Sequence, residues 1–572
     1  MKGKIERALR KELEKIIKEK FEVEVQIDIV YGDYSTNAPL TFFHKVKDKY
    51  KNPIEFGNFL SKELQKNVPE VGKIEVSPPG FLNFFLSKKY LTEKLHQIAS
   101  DENYGKPHFA TSFVKTSKVK KAPRGKQKIM LEFADPNPFK EFHIGHLRNI
   151  ALGESFSRLL EFQGAEVFRA NYQGDVGMHV AKAIYGIQKS KFKIQNLKSK
   201  DKGAKFLGEA YAAGAKAYEE DKKAQEEIRE INLKIYQKSD PGLNKLWGEG
   251  RKWSLEHFED IYKRLGTKYK RYYFESEVEE PGREIVLSHI KDGIFERHEG
   301  AVVFRGKHTR VFVTSDGYGT YEAKDLALAS AKFDDFPYDE SIIITANEQV
   351  SYFKVVLQAL DKVFPDLAKK TFHYSFGFVS LKDTKMSSRL GNIISGEWLL
   401  DETKRRLKEN FEQMEEETLE KVAVGAVKYS VLKFSRKSDI TFSFKESINL
   451  EGNSGPYIQY TFARTQSVLA NARNSEFRIQ NSENIKLEKE ELLVLRLLIH
   501  FPEIVEEAGD SFAPNLLCNY LFELSQAFNN FYQKHKILES ENEEFRLKLT
   551  RGVGQTLKTG LYLLGIESPT KM

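Results

Sequence analysis

The chain has 572 residues, of which 40% are hydrophobic and 30% charged, and its net charge is +8. This length predicts about three or four domains, and the composition is that of a soluble, ordered protein. The single cysteine, Cys518, excludes an internal disulfide framework and a zinc site built from several cysteines. No apolar run approaches the roughly 18 residues of a membrane span, so we expect no membrane association. The mild basic excess permits a nucleic-acid partner without demonstrating one.

The N-terminal part of the chain has the pattern of a small α/β domain. Residues 2–20 place apolar side chains on one helical stripe, and residues 23–29 alternate apolar and polar side chains as a half-buried strand does. A turn signal at Pro78-Pro79-Gly80 precedes a second strand at 81–85. We therefore expect one domain over residues 1–112.

A basic segment follows at 113–128. Residues 115–128 contain seven Lys or Arg and no Asp or Glu, which is typical of a solvated linker. The same charges would also suit a segment that lies along a phosphate backbone. The sequence leaves both interpretations open.

Strands and helices alternate from residue 129 to about 400. Strand patterns at 129–133, 167–170 and 341–345, with helix patterns at 146–162 and 350–363, predict a Rossmann-type parallel sheet with crossover helices. The helix-rich, highly charged stretch at about 185–290 is typical of an insertion into such a domain. We expect this domain to span 129–400.

Helical patterns dominate the rest of the chain, apart from one short β-like piece at 440–444. We expect connecting helices at 401–450 and a helix bundle at 451–572. The predicted fold class is therefore α/β multidomain, with a small N-terminal α/β domain, a Rossmann-type parallel-sheet domain with a helical insertion, and a C-terminal α-helical bundle.

Two histidines stand where the first strand of the predicted sheet leads into a helix. The motif His143-Ile-Gly145-His146 follows a proline-containing loop, at the place where α/β sheets offer their ligand crevice. Helix N-terminal N–H groups attract anions, imidazoles add hydrogen bonds to phosphoryl oxygens, and Gly145 lets a ligand approach the backbone. The alternative is that both histidines are ordinary capping or surface residues.

A second candidate loop contains Lys385-Met386-Ser387-Ser388, followed by Gly391. A lysine in a Gly/Ser loop after a sheet region is suited to hold phosphates. A mobile loop that closes only on bound substrate would act mainly on the transition state. Taken alone, the loop is more typical of a basic surface loop.

Together the two motifs, about 240 residues apart, resemble the signatures of the class I aminoacyl-tRNA synthetases. The resemblance implies that they bind ATP and stabilise its α-phosphate while an amino-acid carboxylate displaces pyrophosphate. The single cysteine disfavours the zinc-dependent members, and 572 residues leave little room for an editing domain. An amino acid rich in hydrogen-bonding groups needs no editing, because its analogues leave buried polar groups unpaired.

Over nearly the whole chain the sequence is similar to the arginyl-tRNA synthetases. The similarity rests on runs in all three predicted domains, namely 32–37, 79–84, 143–148 with Asn137 and Lys140, 171–177, 315–325, 347–349, 452–460 and 563–566. Some positions depart from the usual family pattern. Phe274 replaces Gly, Lys270 replaces Asp, Val176 replaces Trp, and Phe442-Ser443 lacks an expected Asp.

The resemblance implies an arginine site. Asp325 would pair with the guanidinium with support from Tyr321, one helical turn away on the same face, and Asn137 would take the α-amino or carboxylate end. The full set comprises Glu132, Asn137, Glu275, Tyr321, Asp325 and Gln349. The alternative for Asp325 is a surface residue of a polar helix.

The resemblance also implies an ATP site and tRNA contacts. The ATP site comprises Lys140, His143, Gly145, His146, Lys385, Met386, Ser387 and Ser388, of which Lys140, His143, His146 and Lys385 are the catalytic residues. The implied tRNA contacts are Tyr457, Tyr460, Tyr532 and Met572, and stacking on unstacked bases would suit the tyrosines. The alternative for Tyr457 and Tyr460 is that they are core aromatics of the bundle.

The implied function is a ligase that forms arginyl-adenylate from L-arginine and ATP and transfers arginine to tRNA(Arg), with activation that requires bound tRNA. Mg²⁺ would accompany ATP without an all-protein metal site, and we expect a cytoplasmic monomer. Two alternatives remain. A different nucleotidyltransferase that acts on a small acid would be shorter and lack the helical tail. A non-catalytic tRNA-binding relative would be expected to lose His143, Lys385 or Asp325, and all three are present.

Overall fold

The computed structural model describes residues 1–101, 103–106, 127–190, 200–382, 394–472 and 487–572, with the backbone alone for residues 200–202 and 204. Most of the predicted basic segment lies outside these ranges. The predicted loop residues Lys385, Met386, Ser387 and Ser388 also lie outside them.

The N-terminal domain combines four helices with one antiparallel sheet. The elements are α1 (Lys2–Ile17), β1 (Gln26–Ile27), β2 (Tyr34–Thr36), α2 (Ala38–Phe42), α3 (Pro53–Asn67), β3 (Val71–Ser77), β4 (Phe81–Leu86) and α4 (Lys88–Ser100), and the strand order is β1-β2-β4-β3. The strand predicted at 23–29 is only two residues long. At its carboxyl end the strand is cut short because the Asp28 carboxylate accepts hydrogen bonds from the N–H groups of Val30 and Tyr31, both at 3.1 Å, and turns the chain.

The central domain is built on a five-stranded parallel sheet. The strands of this domain are β5 (Lys128–Glu132), β6 (Glu166–Gln173), β7 (Arg271–Phe274), β8 (Glu296–His298), β9 (Ala301–Arg305), β10 (Thr309–Val313), β11 (Glu340–Ala346) and β12 (Thr371–Phe376). The parallel sheet has the order β12-β11-β5-β6-β7, and β8 to β10 form a separate antiparallel sheet. Because the chain runs from β5 outward in both directions, the ligand crevice is expected outside the carboxyl ends of β5 and β11.

The helices of the central domain are α5 (Ile144–Phe162), α6 (Met178–Lys189), α7 (Lys200–Glu220), α8 (Lys222–Gln237), α9 (Pro241–Arg264), α10 (Glu275–Ser288), α11 (Tyr321–Asp335), α12 (Val350–Val363) and α13 (Pro365–Ala368). The insertion predicted at about 185–290 ends earlier, because β7 is an edge strand of the parallel sheet and pairs with β6. With only four residues between two long charged helices, β7 is too short to show a period-two pattern. The antiparallel sheet of β8 to β10 is a further feature that the sequence patterns did not predict.

The rest of the chain is helical around one short strand pair. Its elements are β13 (Val379–Leu381), α14 (Gly396–Asn410), α15 (Glu416–Leu432), β14 (Ile440–Phe442), α16 (Phe444–Ser447), α17 (Gly455–Asn471), α18 (Lys489–Asp510), α19 (Pro514–Lys534) and α20 (Glu543–Leu563). The β-like piece predicted at 440–444 is thus a strand only as far as Phe442, and it pairs in parallel with β13. Within the ranges given above, no helix combines the length and the apolarity that crossing a membrane requires.

The N-terminal domain is anchored on the C-terminal helices. Arg496 of α18 forms an ion pair with Asp33 (2.6 Å), and the Tyr34 hydroxyl donates to Glu503 of the same helix (3.0 Å). One continuous hydrophobic cluster extends from the N-terminal domain through α5 to the C-terminal bundle. The helix that carries the histidine motif is therefore packed at the centre of the molecule.

Candidate active site

The first turn of α5 carries both predicted histidines, and both of them cap the helix. The Nδ1 of His143 accepts a hydrogen bond from the N–H of Gly145 (3.1 Å), and the Nδ1 of His146 accepts one from the N–H of His143 (3.2 Å). The two rings are stacked with their centroids 3.8 Å apart. Because each cap uses Nδ1 as an acceptor, the proton of each neutral ring is on Nε2. Capping therefore leaves one N–H donor on each imidazole.

Their surroundings favour the neutral form of both imidazoles. Burial, followed by the nearby Lys140, lowers the pKa of His143, and burial together with His143 and Lys140 lowers the pKa of His146 further. Lys140 is partly buried, which lowers its own pKa, and its Nζ lies 5.4 Å from the centroid of the Tyr211 ring. The helix start thus combines two neutral N–H donors, a lysine and a helix N-terminus, a combination that suits an anion.

The absent side chain of Gly145 is required by the His143 ring, and the predicted approach of a ligand to this backbone stays a prediction. A Cβ at this position would lie 2.9 Å from both Nδ1 and Cε1 of His143. The absent side chain makes room for the imidazole that folds back over the helix start. Any larger residue at 145 would have to displace the His143 ring.

Backbone bonds join this helix start to the chain beyond the predicted lysine loop. The N–H of Ile144 donates to the carbonyl of Ile394 (2.9 Å), and the N–H of Gly396 donates to the carbonyl of Phe142 (3.0 Å). The first described residues after 383–393 are therefore fixed to the histidine motif. Arg148, fully buried in α5, adds hydrogen bonds to backbone carbonyls on both sides of this region, at Gly377, Phe378, Ser435, Arg436 and Ser438.

The loop between β5 and α5 has an unusual backbone. Three of its non-glycine residues have positive φ values, of 78°, 49° and 67°, namely Ala134, Asp135 and Phe139. Such conformations cost energy and cluster at functional sites. The side chains of Asp135 and Asn137 fix the loop to the end of β6, since Asp135 Oδ1 accepts from the N–H of Tyr172 (2.8 Å) and Asn137 Oδ1 accepts from the N–H of Gly174 (3.0 Å).

Two of the predicted arginine-site carboxylates are already paired with lysines of α11. Glu132 at the end of β5 binds the ammonium of Lys332 (2.7 Å), and Glu275 at the start of α10 binds that of Lys324 (2.7 Å). All four side chains are buried. Glu275 lies beside Asn137, because a Cβ on the intervening Gly174 would meet both side chains within 2.7 Å.

Asp325 has no cationic partner among the described residues. Its Oδ2 accepts a hydrogen bond from the Tyr352 hydroxyl (2.6 Å), and burial is the main cause that raises its pKa to about 8. Tyr321, four residues earlier in α11, is 52% exposed. Gln349 ends the short 3₁₀ turn Asn347–Gln349 that follows β11. Asp325 and Tyr321 thus come from α11 and Gln349 from the turn after β11, and Asp325 lies close enough to Glu132 at the end of β5 for that carboxylate to raise its pKa.

The three predicted tRNA-binding tyrosines meet around one arginine. The Arg464 guanidinium lies 4.8 Å from the ring centroid of Tyr460 and 5.0 Å from that of Tyr532. Asn529 connects the group, because it accepts a hydrogen bond from Arg464 (2.5 Å) and donates one to the Tyr457 hydroxyl (3.0 Å). Met572 instead packs against the hydrophobic cluster of α14 and α15.

Comparisons with known proteins agree over the whole chain. A family model described as tRNA synthetases class I (R), catalytic domain, matches residues 108–444, the DALR anticodon binding domain matches 458–572, and the arginyl tRNA synthetase N terminal domain matches 2–86. The arginine–tRNA ligase of Porphyromonas gingivalis is 30% identical, with 96% of each chain covered, and that of Flavobacterium psychrophilum is 31% identical over 91% of this chain and 90% of its own. The chain belongs to the arginyl-tRNA synthetases. It is therefore a class I aminoacyl-tRNA synthetase.

Solved structures of this family have the same fold. The arginyl-tRNA synthetase of Thermus thermophilus matches with a TM-score of 0.80 and 24% identity over the full length of both chains. The enzyme of Plasmodium falciparum matches with a TM-score of 0.78 and 24% identity, over 100% of this chain and 99% of its own. The predicted fold class is thus confirmed, with an N-terminal domain, a parallel-sheet catalytic domain and a helical C-terminal domain.

Side chains of the helical insertion contact the chain beside Phe274 and Val176, two positions that are expected from the sequence to differ from the family pattern. The Phe274 ring is covered by the guanidinium of Arg251 (3.8 Å to the centroid), which also pairs with Asp175 (2.9 Å). The indole N–H of Trp247 donates to the carbonyl of Asp175 (2.7 Å), next to the position where Val176 replaces the usual Trp. Side chains of the helical insertion thus fill the space beside both replacements.

Several residues that shape the site were not predicted from the sequence, namely Asp135, Tyr172, Lys324, Lys332, Tyr352 and Arg464. Local signals existed for two of them. Arg464 follows Tyr460 by four positions in a helical pattern, and Asp135 precedes Asn137 by two positions in the strand-to-helix loop. Lys332 offers no such signal, because it lies 200 positions from its partner Glu132.

Proposed function

We propose that the chain activates L-arginine with ATP to form arginyl-adenylate and transfers the arginine to the 3′ end of tRNA(Arg). In the first step a carboxylate oxygen of arginine attacks the α-phosphorus of ATP, and the bond to pyrophosphate breaks. In the second step a hydroxyl of the terminal ribose attacks the arginyl carbonyl, and AMP leaves. Family membership supports this reaction, and the observation that carries the choice of substrate is the unpaired Asp325 carboxylate in the crevice.

The residues at the start of α5 are suited to stabilise the first step. Negative charge grows on the α-phosphate oxygens as the carboxylate attacks, and the Nε2–H groups of His143 and His146 are pre-oriented donors because their Nδ1 atoms are held by the backbone. Lys140 adds positive charge nearby. We assign Lys385 to the same phosphates from the sequence motif alone, together with Met386, Ser387 and Ser388.

Mg²⁺ would accompany the ATP phosphates, as it does in phosphoryl transfer generally. Among the described residues, no group of three or more His, Cys, Asp or Glu side chains has the arrangement of a metal site. The proposal assigns Mg²⁺ to the phosphates of the nucleotide.

For arginine we propose that Asp325 pairs with the guanidinium, with Tyr321 and Gln349 beside it, and that Asn137 holds the α-amino or carboxylate end. Charge-assisted pairing of carboxylate and guanidinium is strong and directional. Glu132 and Glu275 line the site, but their charges are compensated by Lys332 and Lys324. We therefore assign them to the shape and polarity of the site rather than to its net charge.

We propose that the tRNA is held at both ends of the molecule. Residues 1–112 would contact its outer corner, and residues 451–572 would receive its anticodon loop, with Tyr460, Arg464 and Tyr532 as a stacking surface. We assign catalysis to residues 129–400, and we assign linking roles to residues 113–128 and 401–450. We further propose that the enzyme is a monomer and that it works in the cytoplasm. The proposal includes a requirement for bound tRNA in the activation step.

Exchange of pyrophosphate into ATP tests the proposal. The protein is incubated with ATP, labelled pyrophosphate and each amino acid in turn, with and without total tRNA. We expect exchange with arginine only and only when tRNA is present. Exchange that does not depend on arginine would favour a different nucleotidyltransferase, and the absence of exchange with tRNA binding retained would favour a non-catalytic relative.

The variant Asp325→Ala tests the substrate assignment. We expect it to lose arginine-dependent exchange and to retain tRNA binding, because Asp325 and the Tyr460–Tyr532 surface belong to different domains. Asp334→Ala, an exposed carboxylate of the same helix, is the matched control and should behave as the unchanged protein. Equal loss of arginine and tRNA binding in Asp325→Ala would assign Asp325 a structural role.

A further inference from the structure

One buried lysine joins the ends of two helices from different domains. The Nζ of Lys428, in α15, donates to the carbonyl of Leu265, just after α9, and to that of Gly565 (2.6 Å), just after α20. The side chain is buried, and burial is the main cause that lowers its pKa to about 7. A buried ammonium destabilises the fold unless hydrogen bonds compensate it, and here the two carbonyls are its partners.

Arg158 of α5 connects the same two helix ends. Its guanidinium donates to the carbonyl of Gly266 (2.9 Å) and to that of Tyr562 (3.0 Å). The carboxyl end of a helix carries partial negative charge, and the two basic side chains bind the carbonyls of both ends. We call Lys428, Arg158 and the four carbonyls that they bind the helix-end joint.

The joint gives the run 563–566 a physical reason. Gly565 has a φ of 70°, and a Cβ at this position would lie 3.2 Å from the Nζ of Lys428. The left-handed backbone and the close lysine both disfavour a side chain here. Glycine therefore allows the carbonyl of residue 565 to accept the hydrogen bond from Lys428.

On the catalytic side, α9 supports the loop between β5 and α5. The Ser254 hydroxyl accepts a hydrogen bond from the N–H of Phe139 (3.0 Å), and a Cβ on Gly250 would lie 2.3 Å from the Phe139 ring. Phe139 has a φ of 67°, a conformation that persists only where the surroundings hold it. The loop that leads to His143 therefore depends on the position of α9.

On the other side, α20 and the chain after it are held against α17, the helix that carries most of the proposed tRNA surface. A Cβ on Gly554 of α20 would lie 2.6 Å from the hydroxyl oxygen of Thr465, which directly follows Arg464. Gln459 of α17 donates to the carbonyl of Glu567 (2.7 Å), two residues beyond the joint. An RNA that displaces α17 would therefore displace the end of α20.

We infer that Lys428 is a positioning residue for the activation step, which passes the position of the tRNA-binding helices to the catalytic loop through the helix-end joint. The inference rests on the proposed function, in which activation requires bound tRNA. A bound RNA can change the rate of a distant step only if it favours one of two arrangements of the protein. The joint makes the end of α20 and the end of α9 change their arrangement together.

Lys428→Met tests this role, because methionine is also a long, unbranched side chain but cannot donate either hydrogen bond. Arginine-dependent pyrophosphate exchange is measured at saturating concentrations of an intact tRNA(Arg) transcript and of one that lacks the anticodon arm. In the unchanged protein we expect the intact RNA to give faster exchange by about 5- to 150-fold, the usual size of coupling between two sites. In Lys428→Met this ratio should fall below about threefold, whereas Lys408→Met, at an exposed lysine of α14, should keep it.

The ratio separates coupling from a loss of stability, because a poorly folded enzyme loses the same fraction of its rate with both RNAs. If Lys428→Met does not fold, Gly565→Ala replaces it, since the added methyl group strains the contact with Lys428, and the same fall is expected. An unchanged ratio in the variant, or equal rates with the two RNAs in the unchanged protein, would overturn the inference. Failure of the proposed function has a different appearance, because the unchanged protein would then show no arginine-dependent exchange with either RNA.

Discussion

Replacement of Asp325 by asparagine should stabilise the ligand-free protein while it removes arginine binding. Burial is the main cause that raises the pKa of this carboxyl from an ordinary value of 3.8 to about 8. The carboxylates of Glu132 and Glu322 also raise the pKa, whereas the Tyr352 hydrogen bond and Lys332 lower it. Between these two pKa values the folded protein binds the proton that the unfolded chain has lost. Stability therefore falls as the pH rises through this window. Asparagine does not titrate, so the variant escapes this loss.

The gain follows from the size of the shift. One pH unit corresponds to about 1.4 kcal/mol, so Asp325→Asn should gain about 4 kcal/mol at pH 7, about 2 kcal/mol at pH 5, and almost nothing at pH 4. Above pH 8 the gain should stop growing. The gain is specific to the buried carboxyl, so the exposed control Asp334→Asn should show no pH-dependent change.

Thermal unfolding at one scan rate measures this effect. The midpoint difference between Asp325→Asn and the unchanged protein should grow from pH 4 to pH 8, and saturating arginine with tRNA should stabilise only the unchanged protein. A destabilised variant at pH 7, or a gain that does not vary between pH 4 and pH 7, would refute the idea that Asp325 is held as a protonated acid in the free protein.

The remaining predictions concern substrate binding and the helix start. The KM for arginine should fall by up to about tenfold per pH unit between pH 6 and pH 8 and then level off, because arginine needs the ionised form of Asp325; a KM independent of pH in steady-state assays would contradict this. Gly145→Ala should displace His143 and lower the rate of pyrophosphate exchange about 10- to 100-fold, with little change in the KM for arginine. The control is Gly248→Ala, whose added methyl group meets nothing within 4 Å, and it should leave both the rate and the KM unchanged. Arg464→Ala should raise the KM for tRNA about tenfold, because it removes the centre of the tyrosine surface. The control is Arg405→Ala, on the exposed face of α14. An equal rise of the KM in both variants would show that only the overall charge of the protein matters.

The fold was predictable where hydrophobic periodicity extends over whole elements. The helix predicted at 350–363 has these bounds in the structure, and the strand predicted at 129–133 differs by one residue at each end. The pattern failed where elements are short or turned by side-chain contacts. The Asp28 hydrogen bonds shorten β1, and β7 is hidden between charged helices. Such features depend on single contacts, which a window of residues averages away.

The arrangement of the candidate site was predictable where it is local in sequence. His143 and His146 come together because both lie at the start of one helix, and their role in ATP binding stays a prediction. The ion pairs of Glu132 and Glu275 are not readable, because their lysines arrive from α11 by the packing of the sheet. At Gly145 the structure adds a contact that the sequence did not predict, because the absent side chain accommodates the His143 imidazole.

The central claim is the identity of the amino acid that is attached to tRNA. The most direct measurement is aminoacylation of total tRNA with each of the labelled amino acids in turn, in the presence of ATP and Mg²⁺. Acid-stable label on tRNA with arginine alone, accompanied by release of AMP and pyrophosphate, is the result we predict. Label from another amino acid, or no label with arginine while the protein still binds tRNA, would contradict the account.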